Sequence, residues 1–90
     1  MGVRIRLHPL LQDMVNGQEM VEVEGKNVGE CLRDLIRQFP GMRENIFDKH
    51  GKLHRHVEIF INGRSASAEE LAAPVSDGDE LSLLMLLSGG

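Results

Sequence analysis

Leu84-Met85-Leu86-Leu87-Ser88-Gly89-Gly90 is a greasy run that ends in two glycines. The residues just before it, Leu81-Ser82-Leu83, extend it backwards into a strand, with Leu81, Leu83, Met85 and Leu87 on the inner face. Leu84 and Leu86 then fall on the other face. An apolar residue there is either covered by the rest of the fold or reserved for a partner. Gly89 and Gly90 carry no Cβ, so the backbone they form is slim enough to enter a narrow channel. Fully extended, the stretch from Leu86 to Gly90 reaches roughly 15 Å. The expected arrangement is a domain over residues 1–86, followed by a flexible tail over 87–90 that presents the Gly90 carboxylate.

Outward from that strand, the remaining elements follow from changes of period. Val3, Ile5 and Leu7 alternate with Arg4, Arg6 and His8, which describes a half-buried strand ended by Pro9. Alternation resumes in Met20-Val21-Glu22-Val23-Glu24, after Asn16-Gly17. The two segments read as an antiparallel hairpin joined by a short loop, with Arg4 and Arg6 facing Glu22 and Glu24. Val28, Leu32, Leu35, Ile36 and Phe39 recur at helical spacing, and Cys31 lies on the same stripe. Asn27 is an N-cap with Glu30 three residues on, and Pro40-Gly41 stops the helix. Residues 42–56 show no clear period, although Ile46 and Phe47 are apolar enough to insert into a core. Val57-Glu58-Ile59-Phe60-Ile61 is a strand closed by Asn62-Gly63. Ser67 to Leu71 reads as one helical turn, and Asp77-Gly78-Asp79-Glu80 as a turn into the last strand, from Leu81 to Leu86.

The order strand, strand, helix, strand, short turn, strand specifies an α+β protein of the β-grasp type. Its expected form is a mixed sheet of four to five strands with one main helix across it, the first and last strands pairing in parallel at its centre.

Composition narrows the function classes. With 10 Lys and Arg against 14 Asp and Glu, the net charge of −4 offers no basic footprint for nucleic acid, and three Phe with no Trp or Tyr offer no stacking platform. No apolar stretch is long enough for a membrane span or a signal peptide, so the expected compartment is the cytoplasm. Cys31 is the single cysteine and sits on the apolar stripe, where core packing is the expected role. His54 and His56 would share one side of a strand, but no third metal ligand is indicated, since Cys31 is on the helix; with His50 they read as polar residues around an exposed turn. Asp77, Asp79 and Glu80 belong first to their turn and second to a possible contact with a basic partner. No nucleophile–base pair, carboxylate dyad or phosphate-binding glycine loop is evident.

Over essentially its whole length the chain resembles the ubiquitin-like sulfur carriers, the group containing the thiamine-biosynthesis carrier and the small subunit of molybdopterin synthase. The resemblance is carried by the first strand, the Val28–Phe39 helix, and Phe47-Asp48-Lys49-His50-Gly51-Lys52-Leu53 leading into Val57-Glu58-Ile59-Phe60-Ile61-Asn62-Gly63-Arg64. It continues in Asp77-Gly78-Asp79-Glu80-Leu81 and Ser88-Gly89-Gly90. It implies that an adenylating enzyme related to ubiquitin-activating enzymes uses ATP to activate the Gly90 carboxylate, and that a sulfur donor displaces AMP to leave a thiocarboxylate. A sulfur-accepting biosynthetic enzyme then takes the sulfur for a cofactor or a sulfur amino acid. The chain is a cosubstrate, not an enzyme, and binds no cofactor itself. Gly89 supplies slimness, and Phe60, Arg64, Leu84, Leu86, Leu87 and Ser88 are the implied partner-binding residues. Two alternatives share the same activation or fold: a molybdopterin-synthase small subunit, and a ubiquitin-like modifier joined to lysines through Gly90. A proline is frequent before the glycines of the molybdopterin branch, and Leu84 to Leu87 contains none.

Overall fold

The computed structural model describes residues 2–66 and 70–85. Five strands form one sheet in the order β2-β1-β5-β3-β4: β1 is Val3–Leu7, β2 Met20–Val23, β3 Val57–Ile61, β4 Arg64–Ser65 and β5 Glu80–Met85. The outer pairings are antiparallel, and β1 pairs with β5 in parallel, Ile5 opposite Leu81 and Leu7 opposite Leu83. The mixed sheet expected from the element order is therefore present, with the first and last strands central.

Alternation decides what each face does. Val3, Ile5 and Leu7 are buried while Arg4 and Arg6 are exposed. Leu81 and Leu83 are buried on the same side. Helix α2 (Val28–Gln38) covers that face with Val28, Cys31, Leu32, Leu35 and Ile36. Its start matches the sequence signal: the Asn27 side chain accepts the Glu30 amide at 2.8 Å. The Glu30 carboxylate reaches back one residue further than in an ordinary capping box, to the Lys26 amide at 2.9 Å. Gly25, between β2 and α2, has its missing Cβ position 2.7 Å from the Cys31 amide nitrogen and 2.9 Å from its sulfur. No side chain fits there, so glycine is what lets the strand turn directly into the helix.

Three segments depart from the sequence reading. The connection from β1 to β2 is not a plain loop: Pro9 starts helix α1 (Pro9–Gln12), followed by a 3-10 turn over Asp13–Val15, and Leu11 and Val15 are buried. Pro9 ends the strand but is well suited to a first helical position, because its missing N–H has no partner there anyway. The irregular stretch after α2 contains a 3-10 turn, Pro40–Met42, and helix α3, Arg43–Ile46, which bury Met42 and Ile46 completely. Phe47 packs at the core margin. The expected turn near Ser67 appears as a 3-10 segment over Glu70–Ala72, residues 67–69 lying outside the described residues.

The charge pairing also differs. Arg4 stands opposite Glu22, but Arg6 stands opposite Met20. The Arg6 Nε instead pairs with Glu80 Oε2 on β5 at 3.0 Å. At half exposure this pair contributes at most about 1 kcal/mol.

Turn residues fix the strand ends. Asn62 and Gly63 both have positive φ, 50° and 86°, as a tight hairpin between β3 and β4 requires. Asn62 also bonds across to the turn before β5. Its Nδ2 donates to Asp79 Oδ1 at 3.0 Å, and its Oδ1 accepts the Glu80 amide at 2.9 Å. Asp79 Oδ2 accepts the Ser76 amide at 2.8 Å. The Asn-Gly and Asp-Gly-Asp-Glu segments are thus one latch at the start of β5. Both carboxylate oxygens of Asp79 accept hydrogen bonds within it, which is the turn role expected first for this residue.

Two measurements test this account. Asp79 is held below the usual carboxylate range by the Ser76 amide and Asn62, and Asp48 by the amides of Lys52 and His50. Partial burial pushes Asp34 up, but the Glu24 amide and Arg37 outweigh it and the net direction is down. A carboxyl whose folded pKa lies below its unfolded value of about 3.9 stabilises the fold above that value. That contribution is lost as pH falls through the folded pKa. The melting temperature is therefore expected to be level above about pH 5 and to fall below about pH 4. A Tm unchanged into strong acid contradicts it, and Asp34→Asn is expected to reduce the acid slope. Second, burial first, then the carboxylates of Glu30, Asp34 and Glu24, push the Cys31 thiol up to about 11. A thiol-reactive aromatic disulfide at mildly alkaline pH should leave Cys31 unlabelled in the folded chain and label it in denaturant.

Candidate functional site

Because β5 runs parallel to β1, the chain leaves the sheet at the end where β1 finishes. His8 donates its amide to the Leu83 carbonyl at 3.2 Å, the last rung of that ladder before α1 begins. Val57, the first residue of β3, stands opposite Met85. The exit of β5 is thus framed by the start of α1 on one side and the start of β3 on the other, and the Asn62–Asp79 latch lies at the opposite end.

The helices lie on one face of the sheet. The other face carries the outward residues of the strands and, among the described residues, no covering element. Phe60 is opposite Ser82 and Glu58 is opposite Leu84, so Phe60 and Leu84 are diagonal neighbours across β3 and β5. Both are half-buried. They form an apolar spot within a charged surround of Glu58, Arg6 and Glu80. Such a small apolar centre with a polar rim has the anatomy of a protein contact.

The implied docking residues therefore separate. Leu84 and Phe60 come together on the open face. Arg64 does not join them: it is opposite Ile61 on β4 and near the Leu81 end of β5, at the far end of the sheet from the exit. Leu86, Leu87, Ser88, Gly89 and Gly90 lie outside the described residues. Leu10 was not singled out from the sequence. It is 59% exposed, the most exposed large apolar residue described, and it sits two residues beyond His8 at the exit end. The signal was present in Leu10-Leu11: in a helical turn two adjacent leucines cannot both face the core, and Leu11 does.

Cys31 and His54 have structural roles. Cys31 is wholly buried. The His54 ring Nε2 contacts the Glu44 carbonyl at 3.0 Å, and its amide bonds the Ile46 carbonyl at 3.0 Å. Among the described residues no three His, Cys, Asp or Glu side chains gather as a metal site would require. No helix among them is long and apolar enough to cross a membrane.

Comparison with known proteins agrees with this geometry. The ThiS family model matches residues 8–90. The sulfur carrier protein CysO of Mycobacterium tuberculosis is 31% identical over an alignment of 93 positions that covers all of both chains. Small archaeal modifier protein 1 of Haloferax volcanii is 35% identical over 71 residues, 78% of each chain. Among solved structures, a chain of the Amycolatopsis orientalis BexX/CysO complex superposes with a TM-score of 0.88 at 29% identity, over 98% of this chain and 99% of that one. A β-grasp sheet with parallel central strands, a diglycine beyond its last strand, and full-length similarity to sulfur carriers place the chain in the ThiS family of ubiquitin-like proteins.

Proposed function

We propose that the chain is a sulfur carrier whose Gly90 carboxylate is adenylated by a partner enzyme at the expense of ATP and then converted to a thiocarboxylate. The observation that carries this reading is the full-length similarity to a sulfur carrier, combined with a sheet that sends its last strand out toward Gly89 and Gly90. A carboxylate is a poor electrophile. Its acyl adenylate has a good leaving group, so sulfur from a donor attacks the carbonyl carbon, AMP departs and the C–S bond remains. The resulting thiocarboxylate is a nucleophile tethered to a protein, which keeps reduced sulfur from diffusing away. A biosynthetic enzyme making a sulfur amino acid or a cofactor is the acceptor. No side chain of the carrier acts as acid or base, in keeping with a buried, deactivated Cys31.

The activating enzyme is assigned to the open face. Phe60 and Leu84 are its apolar centre, Leu10 flanks the exit, and Leu86, Leu87 and Ser88 continue toward Gly89 and Gly90. Arg64, at the far end of the sheet, belongs at most to the rim. A second reading, conjugation of Gly90 to lysines, is favoured by one specific observation, the 35% identity to an archaeal modifier protein. Both uses begin with the same adenylate and differ only in the nucleophile that meets it. The molybdopterin-synthase alternative predicts a stable complex with a larger subunit instead of a transient visit.

Intact mass is the direct test. With the activating enzyme, ATP and a sulfur source, the chain should gain about 16 Da as sulfur replaces oxygen. Removing Gly90 should abolish that gain and leave the melting temperature unchanged. No mass change with a competent activating enzyme would overturn the carrier reading, and ladders on other proteins in lysate would promote the modifier. Phe60→Asp and Leu84→Asp should each lower the rate of ATP-dependent pyrophosphate release about tenfold or more, a loss of roughly 1.4 kcal/mol of docking. Arg64→Ala should have little effect.

A further inference from the structure

The helix layer carries a groove apart from the open face of the sheet. It has a volume of about 800 Å³ and runs between α2, α3 and the turn that follows α3. Ile36, Phe47 and Leu71 form its apolar floor, packed against the core from the helix side. Arg33, Arg43 and Lys49 form the rim, each from a different segment and each exposed. Among the described residues none of the three has an ion-pair or side-chain hydrogen-bond partner.

Two carboxylates also line the groove. Asp48 is committed to its own turn, where Oδ1 accepts the amides of His50 at 2.8 Å and Lys52 at 3.0 Å. Glu44 is the other. The Asp48 carboxylate keeps its charge but is turned toward those amides, so the groove carries three cations against two carboxylates, a small positive excess in a chain that has 10 cations against 14 acids overall. It is the reverse of the protein's general charge, centred on an apolar floor.

We infer that this groove is a second docking surface, and that its occupant is an acidic peptide segment of a partner protein carrying an apolar side chain between its carboxylates. Charge complementarity selects the occupant: the rim cations meet carboxylates while the apolar residue covers Ile36, Phe47 and Leu71. The groove and the Phe60–Leu84 spot lie on opposite layers, so one partner can hold the helix side while another works on the exposed sheet. The existence of the site does not depend on sulfur chemistry. Its use in passing a carrier between two enzymes rests on the proposed function.

The test uses the full isotope-labelled chain and an acidic hexapeptide with Leu and Phe at its centre and a Glu pair at each end. Amide resonances are followed at about physiological ionic strength. Saturable shifts are expected at Gly29, Gly51 and Leu71, with none at Phe60 or Leu84. The triple variant Arg33→Glu, Arg43→Glu, Lys49→Glu should bind at least about tenfold more weakly while melting as the parent does, since all three side chains are exposed. A hexapeptide with Lys in place of Glu should not bind. The inference is overturned by absent shifts at millimolar peptide, by shifts that move to the open face, by equal binding of the Lys peptide, or by inorganic phosphate alone reproducing the pattern. Because no step needs Gly90, a chain that is never thiocarboxylated yet binds the peptide loses only the carrier reading, and the converse loses only this one.

Discussion

The parallel pairing of β1 with β5 is the constraint on which the rest depends. It joins the two most sequence-distant strands, and it places both at the centre, where Val3, Ile5, Leu7, Leu81 and Leu83 are almost completely buried. Parallel strands cannot be linked by a tight turn, so the chain must cross from the β1–β2 half of the sheet to the β5–β3–β4 half over one face. That face becomes the core and receives α2. The other face is left to solvent and partners. The same pairing sets the direction in which the chain leaves β5, and hence where a carboxylate beyond it can be presented.

The latch between Asn62 and the Asp79 turn complements that pairing. It secures β5 at its beginning, through hydrogen bonds to Asp79 and Glu80, while the His8–Leu83 bond secures it near its end. Neither involves the outward side chains of the strand. Phe60 and Leu84 can therefore serve binding without serving the fold, and Cys31, the only thiol, serves the fold without serving chemistry. Stability resides in the packing between the sheet and its helices, and recognition is assigned to the two outer surfaces on either side of it.

The architecture was readable in the sequence where periodicity was strong. Val57–Ile61 and the Val28 helix with its Asn27 cap match their expected bounds closely, since alternation and capping are local signals. Helix α1 was hidden by Pro9, which ends a strand and begins a helix with equal facility. Helix α3 is one turn long, too short for a period to show, and only the burial of Ile46 reveals it. Strand β4, two residues at the edge, has no alternation to detect. The site was partly legible. Leu84 was marked by being an apolar residue on the wrong face of its strand, but the separation of Arg64 from Phe60 depends on the hairpin register, which places Arg64 opposite Ile61. The groove beside α2 had no sequence signature, because Arg33, Arg43 and Lys49 come from three segments brought together only by packing.

The position of β5 also decides how the protein responds to traction. The strand is hydrogen-bonded along both edges, to β1 and to β3. A pull applied beyond Met85 acts along the strand, and the bonds of both ladders lie across that direction. They must yield together in shear, not one after another as when an edge strand is peeled away. An enzyme that drew the last residues into a deep channel would meet a rigid anchor, and a machine that unfolds proteins by dragging on this end would meet its greatest resistance at the first step.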